Sequence, residues 1–167
     1  MGGIIVREPR AGDGPAIARF HRENAAYYAE VAPEHFRVPD AEGLGEFMEP
    51  GPDENTETTL ALVAELDGEV VGYLEAHLLP PLETARYQAQ ADVGETRLVI
   101  NYVETLQKHW RQGVGSRLVE AAEEWGRARE ATVAVCDTYI GSPVSIPFWE
   151  ERMGYERRAI IFRKALA

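Results

Sequence analysis

Two strand-like runs, TLALVAEL over residues 59–66 and EVVGYLEAHLL over 69–79, are joined by the pair Asp67-Gly68 alone. A two-residue connection of this kind needs positive φ at both positions, which Asp and Gly tolerate, and it sends the chain back antiparallel to itself. That single feature excludes an all-parallel doubly wound sheet and demands a mixed or mostly antiparallel one. The remaining elements follow from local patterns. Residues 4–6 form a short β-branched run closed at Pro9. Asp13 is a candidate cap with Pro15 just inside the next helix, where Ile17, Phe20, Asn24, Tyr27 or Tyr28, and Val31 recur at helical spacing until Pro33. A short helix is expected over 40–49, a surface loop over 50–58 and a long polar connection over 82–95.

The run RLVINYVETL over 97–106 reads as a central strand, with Leu98, Ile100 and Tyr102 on one face and Val99, Asn101 and Val103 on the other. Val114, Leu118, Ala121, Ala122, Trp125 and Ala128 mark the clearest amphipathic helix. A strand over 132–138 follows, then a helix from Ser142-Pro143 to about Met153, and a last strand over 155–164. The order is β α α β β β α β α β, an α/β fold with helices on both faces of a mixed, mostly antiparallel sheet. At 167 residues a single domain over 1–167 is expected.

Charge narrows the function. Lys plus Arg number 17 against 28 Asp plus Glu, a net charge of −11, which repels phosphate backbones and anionic lipid. No nucleic-acid or membrane partner is expected. The one cysteine, Cys136, forms no intramolecular disulfide, and the four histidines are scattered without cysteine partners, so no metal site is expected. With no apolar leader or spanning run, a cytoplasmic protein is the expectation.

The segment Trp110-Arg111-Gln112-Gly113-Val114-Gly115-Ser116 lies between a central strand and the strongest helix. Glycines there let backbone N–H groups approach a ligand, and the helix N-terminus adds partial positive charge, which suits a phosphate or pyrophosphate. No GK[ST] follows, which excludes a lysine-bearing nucleotide loop.

Together, the element order, the strand RLVINYVETL, the turn RQGVGSRL and the closing segment SPVSIPFWEERMGY resemble the GNAT family of acetyl-CoA-dependent N-acyltransferases. The resemblance puts Gly113 and Gly115 in register with the family's glycine turn, with Trp110 where Arg or Gln is usual. It implies acetyl-CoA as cosubstrate, no metal, and a pyrophosphate held by the backbone of Arg111, Gln112, Gly113, Val114, Gly115 and Ser116. It also implies a pantetheine arm paired to the strand at Val103, Glu104 and Thr105. Ser142 stands at the family's Asn position. Trp149 falls where a proton-donating Tyr is usual, and FWEERMGY is one residue longer than the family's pattern, leaving Tyr139 or Tyr155 as candidate acid.

Acyl transfer to an amine needs a neutral amine, an oriented carbonyl and a way to neutralise the leaving thiolate. Glu104, beside the expected thioester, is the first candidate base, ahead of Glu75, Asp137 and His77. A backbone N–H near Leu106, if it points at the thioester oxygen, would supply oxyanion stabilisation whatever the side chain. His21, Tyr27, Tyr28, His35 and Phe36 are expected to line the pocket of a small-molecule or peptide amine. The readings are an acetyl-CoA-dependent N-acetyltransferase or, alternatively, a catalytically degenerate acyl-CoA-binding sensor. A homodimer is expected, with Ile160, Ile161 and Phe162 supplying an exposed edge.

Overall fold

The computed structural model describes residues 3–166. Its chain falls into two compact units, one ending at Cys136 and one beginning at Asp137. The first is built on a five-stranded sheet in the order β1-β2-β3-β4-β5, comprising β1 (Ile5–Arg7), β2 (Thr59–Leu66), β3 (Glu69–Leu79), β4 (Arg97–Thr105) and β5 (Val133–Cys136). Neighbouring strands run antiparallel except β4 and β5, which are parallel. Helices α1 (Gly14–Val31), α2 (Leu44–Phe47) and α3 (Val114–Arg127) complete the unit. No described helix is long and apolar enough to cross a membrane.

The hairpin forms as expected. Asp67 and Gly68 take φ of 50° and 81°, and Leu66 closes the ladder opposite Glu69. Behind the sheet, α3 seats close because Gly72 has no side chain: a Cβ there would stand 2.9 Å from Val114 Cγ1 and 3.0 Å from Leu118 Cδ1. Leu118 of α3 and Leu98 under that helix are fully buried, and Ile17 and Phe20 of α1 are fully buried as well.

The start of α1 differs from expectation. Asp13 does not cap it with its side chain. That carboxylate instead takes two hydrogen bonds from Arg7, at 2.8 and 3.0 Å, and one from the Arg10 amide. The first-turn amide of Gly14 is satisfied from a distance, donating to Glu49 Oε2 at 3.0 Å, while Gly12 donates to Glu49 Oε1. Capping by a residue 35 positions away leaves no mark in the local sequence.

Within β4 the expected faces hold only as far as Ile100. Ala76 of β3 pairs with Ile100 but Glu75 pairs with Tyr102, so Asn101 is an extra residue, a β-bulge. One inserted residue inverts the alternation beyond it. Leu98 and Ile100 therefore lie on the α3 face with Gly72 and Leu74, whereas Tyr102 and Glu104 turn to the α1 face with Tyr73 and Glu75.

The second unit contains α4 (Ser145–Pro147), continued by a π turn over Phe148–Arg152 in which the Met153 amide donates to the Phe148 carbonyl at 3.0 Å. This wider turn holds one more residue than an α-turn, which is where the extra residue of FWEERMGY is accommodated. The last strand expected over 155–164 is not formed. Ile161 and Phe162 are 82 % and 91 % exposed, and no strand lies among the described residues of this unit to receive the segment's ladder. High β-propensity there describes side chains suited to a sheet but provides no edge to pair with.

Candidate functional site

The bulge at Asn101 assembles a polar cluster on the α1 face. His21 of α1 places Nδ1 3.1 and 3.2 Å from the two carboxylate oxygens of Glu104, and the Tyr102 hydroxyl reaches the same nitrogen. The His21 and Tyr102 rings stand 5.7 Å apart at 40°. On β3, the Tyr73 hydroxyl donates to Glu75 Oε1 at 2.6 Å, and the Tyr73 ring lies 6.0 Å from that of Tyr102. His77 Nδ1 is 2.8 Å from Asn101 Nδ2.

Both phenols are held in the neutral form. Burial pushes the Tyr102 hydroxyl well above its ordinary value, reinforced by the charge and hydrogen bond of Glu104 and by the charge of Glu75. Burial does the same to Tyr73, followed by its hydrogen bond to Glu75 and the charges of Glu75 and Glu54. They serve as donors to carboxylates and do not act as bases.

Beyond the bulge, β4 parts from β5. The parallel pairing covers only Arg97–Ile100 opposite Val133–Cys136. On the other edge the Leu106 amide donates to the Val71 carbonyl at 2.8 Å. The Leu106 amide therefore belongs to the β3 ladder and does not point to the opposite edge. Antiparallel alternation then directs the backbone groups of Val103 and Thr105 to the edge that β5 does not reach. The Thr105 carbonyl is fixed there by two donors, Asn24 Nδ2 and Trp110 Nε1, each at 3.1 Å.

Trp110 thus has a structural use. Besides holding Thr105, it meets the Tyr27 ring edge-on at 5.2 Å. Gln107 adds a second tie to α1, donating from Nε2 to the Glu23 carbonyl at 2.7 Å. Of the residues expected to line an acceptor pocket, His21 reaches the cluster. Tyr27 and Tyr28 meet edge-on at 5.4 Å, Tyr28 continues to Phe36 at 5.1 Å, and His35 approaches Glu34 at 3.6 Å.

The glycine turn folds as its sequence suggests. Arg111 and Gly113 have φ of 62° and 89°, Gly113 is the N-cap of α3, and a Cβ on Gly113 would meet nothing within 4 Å. The first N–H groups of α3, on Val114, Gly115 and Ser116, precede any intrahelical acceptor. Ser116 is buried and Gln112 bonds back to the Lys108 carbonyl. In the second unit, Ser142 Oγ accepts the Ser145 amide at 2.9 Å, and the Tyr139 carbonyl accepts the Ser142 amide at 2.9 Å. Trp149 packs between Phe148 and Tyr155 at 4.9 Å from each. No cluster that could hold a metal occurs among the described residues.

No spacing in the sequence joins Asn24, Tyr73, Tyr102 and Gln107 into one site with the turn that holds Trp110. The spacing of Asn24 on the buried face of α1 was the available signal, because a polar side chain there must find a partner.

A family model described as the acetyltransferase (GNAT) family matches residues 19–155. Three solved structures share the fold. A mutant of the BH1408 protein from Bacillus halodurans has a TM-score of 0.77 and 19 % identity over 98 % of this chain and 99 % of its own. An aminoglycoside acetyltransferase from an uncultured soil metagenomic sample, solved with sisomicin, has a TM-score of 0.60 and 18 % identity over 98 % and 97 %. A ribosomal-protein-alanine N-acetyltransferase from Brucella melitensis biovar Abortus 2308 has a TM-score of 0.63 and 14 % identity over 99 % and 100 %. No curated protein sequence matches the chain.

Proposed function

The chain belongs to the acetyltransferase (GNAT) family, and on that premise we propose that it transfers an acetyl group from acetyl-CoA directly to a primary amine of a small molecule or peptide. The observation that carries this reading is the adjacency of two open features. One is the half of β4 that β5 does not pair. The other is the N-terminal turn of α3, with Gly113 in the left-handed region and open space where its side chain would be.

These residues fit the cosubstrate. The amides of Gly113, Val114, Gly115 and Ser116, with Arg111 and Gln112 before them, would hold the pyrophosphate at the positive end of α3. The edge at Val103, with the Thr105 amide beside it, would take the pantetheine arm by strand-like pairing, the Thr105 carbonyl being held already by Asn24 and Trp110. Bound acetyl-CoA supplies an acetyl group activated as a thioester. Glu104 places negative charge on the α1 face of that strand, where it draws in a cationic amine. Tyr139 as acid and Ser142 as a cosubstrate contact remain proposals from the sequence, tested by Tyr139→Phe and Ser142→Ala.

Two solved relatives carry acetyltransferase names with amine acceptors, an aminoglycoside in one and a ribosomal-protein alanine in the other, and both classes suit an acidic chain. The first experiment is calorimetry with acetyl-CoA and with ADP. Thiol release is then followed with sisomicin and with a peptide bearing an N-terminal alanine. Tight acetyl-CoA binding, weaker ADP binding and turnover on one acceptor are expected. Absence of acetyl-CoA binding removes the reading. Binding without turnover favours the sensor alternative, which draws support from Trp149 packing where the family's phenol is usual. A cytoplasmic setting and a homodimer belong to the same reading. Light scattering that returns a monomer at micromolar concentration removes the dimer.

A further inference from the structure

We propose that His21 is the proton acceptor of this reaction, its ring set by Glu104 and Tyr102, so that Glu104 acts through His21 as a positioning residue. The inference rests on the acetyl-transfer reading above.

The contacts favour one tautomer. A carboxylate only accepts hydrogen bonds, so the two short distances from Glu104 call for a proton on Nδ1, and the Tyr102 hydroxyl that meets the same nitrogen fits this tautomer by donating to Glu104 and turning its oxygen lone pair to the ring. The neutral ring then carries its lone pair on Nε2. Glu104 has both oxygens turned toward His21 and hydrogen-bonds the Tyr102 phenol, which leaves it poorly placed to collect a substrate proton.

The surroundings support a transient cation. Facing His21 from the sheet are Glu104 and Tyr102 on β4, with Glu75 and Tyr73 beside them on β3. Both phenols stay neutral. Lys108, in the turn after β4, pairs with Glu69 at 2.9 Å. On α2, Glu46 lines a surface pocket together with Pro15 in the first turn of α1. In the step itself, one N–H bond of the incoming ammonium breaks and an Nε2–H bond forms. The electron pair left on the amine becomes the nucleophile, and the imidazolium rests against the Glu104 carboxylate. Its proton then leaves to water, since the His21 side chain retains 21 % exposure.

Two readouts test this. The first needs no acceptor: nitrogen-15 NMR of the imidazoles, with His21 assigned by its loss in His21→Gln. We expect the neutral ring protonated on Nδ1 and bare on Nε2, and a lower titration midpoint in Glu104→Gln, where the facing negative charge is gone. A ring protonated on Nε2 overturns the proposal.

The second is the pH profile of kcat/KM with the acceptor that turns over. His21→Gln should lower kcat by about 10²- to 10⁴-fold and abolish the ascending limb, with acetyl-CoA affinity retained. Glu104→Gln should keep the limb and move it to lower pH. A limb that survives in His21→Gln but vanishes in Glu104→Gln makes Glu104 the direct base and overturns the assignment. So does a His21→Gln protein that melts earlier while its profile is unchanged. Failure of the wild type to bind acetyl-CoA is a different result, because it removes the acetyl-transfer reading itself, and the proton route with it.

Discussion

Leu98 and Tyr102 lie four residues apart on one strand and face opposite helices. A Cβ on Gly126 of α3 would stand 3.2 Å from Leu98 Cδ2, whereas the Tyr102 ring lies 5.7 Å from that of His21 on α1. In an uninterrupted strand they would share a face. The bulge at Asn101 separates them, and it divides β4 into a first half that fills the core under α3 and a second half that presents Tyr102 and Glu104 to His21. The same residue marks the point beyond which β4 no longer pairs with β5. One insertion thus creates the polar cluster on one side and the open edge on the other.

Deletion of Asn101 should therefore be far more damaging than its replacement. Without the extra residue, restored alternation would turn Glu104 and Tyr102 toward Val114 and Leu118, and a carboxylate buried there without a partner costs several kcal/mol. The deletion is expected to lower Tm by at least about 10 °C or to prevent folding. Asn101→Ala, which loses only the contact with His77, should melt within a few degrees of wild type. Circular dichroism melts decide this, and a deletion variant as stable as the alanine variant would show that the bulge does not set the phase.

Gly72→Ala tests how closely α3 must approach. The added Cβ would meet Val114 Cγ1, Leu118 Cδ1 and Thr105 Cγ2 at 2.9, 3.0 and 3.3 Å, and Val114 and Leu118 are buried with little room to yield. Overpacking of this kind costs about 1–3 kcal/mol, or about 2–12 °C in Tm for a chain of this size. Because Val114 opens the helix whose amides are assigned to the pyrophosphate, acetyl-CoA affinity should weaken as well. Unchanged affinity in a clearly destabilised protein would separate the packing from the site.

The features legible in the sequence are those whose cause is local. Asp67-Gly68 predicts a hairpin because the turn's backbone angles are a property of two residues. Gly113 predicts a left-handed entry to α3 for the same reason, and the apolar spacing from Val114 onward predicts that helix. What escaped depends on a partner elsewhere. The face of Glu104 is decided by pairing with β3, the use of the Leu106 amide by Val71, and the cap of α1 by Glu49. A segment rich in Ile and Phe such as 155–164 becomes a strand only where another strand's edge is in reach. Glu104 stands out in the sequence as a carboxylate on the central strand, but its partner His21 lies 83 positions away, and no spacing rule connects them.

Gly113→Glu should eliminate acetyl-CoA binding while leaving a folded protein. The glycine sits at φ of 89° with open space around its missing Cβ, so Gly113→Ala carries only the left-handed strain of about 1–2 kcal/mol. The glutamate adds a negative charge and a longer side chain at the turn assigned to the pyrophosphate. Calorimetry should give an affinity within about tenfold of wild type for the alanine variant and no measurable binding for the glutamate variant. Equal affinity for all three proteins would move the pyrophosphate away from this turn.

Asp13 should make stability fall in acid. Burial disfavours its charged form, but hydrogen bonds from Arg7 and the Arg10 amide, together with the charges of both arginines, outweigh that and hold its pKa below the ordinary carboxylate value. A folded pKa lower than the unfolded one stabilises the protein fully above the unfolded value of about 3.9, and that contribution disappears as pH falls through the folded value. Asp13→Asn should therefore cost about 1.5–3 kcal/mol at pH 7, the range for a hydrogen bond to a charged group. The difference from wild type should narrow below about pH 4 and close once the wild-type carboxyl is protonated in the folded state. Urea unfolding at pH 7, 5 and 3 measures it. A gap that stays constant across that range would mean that Asp13 holds Arg7 by shape and hydrogen bonding, with its charge contributing nothing.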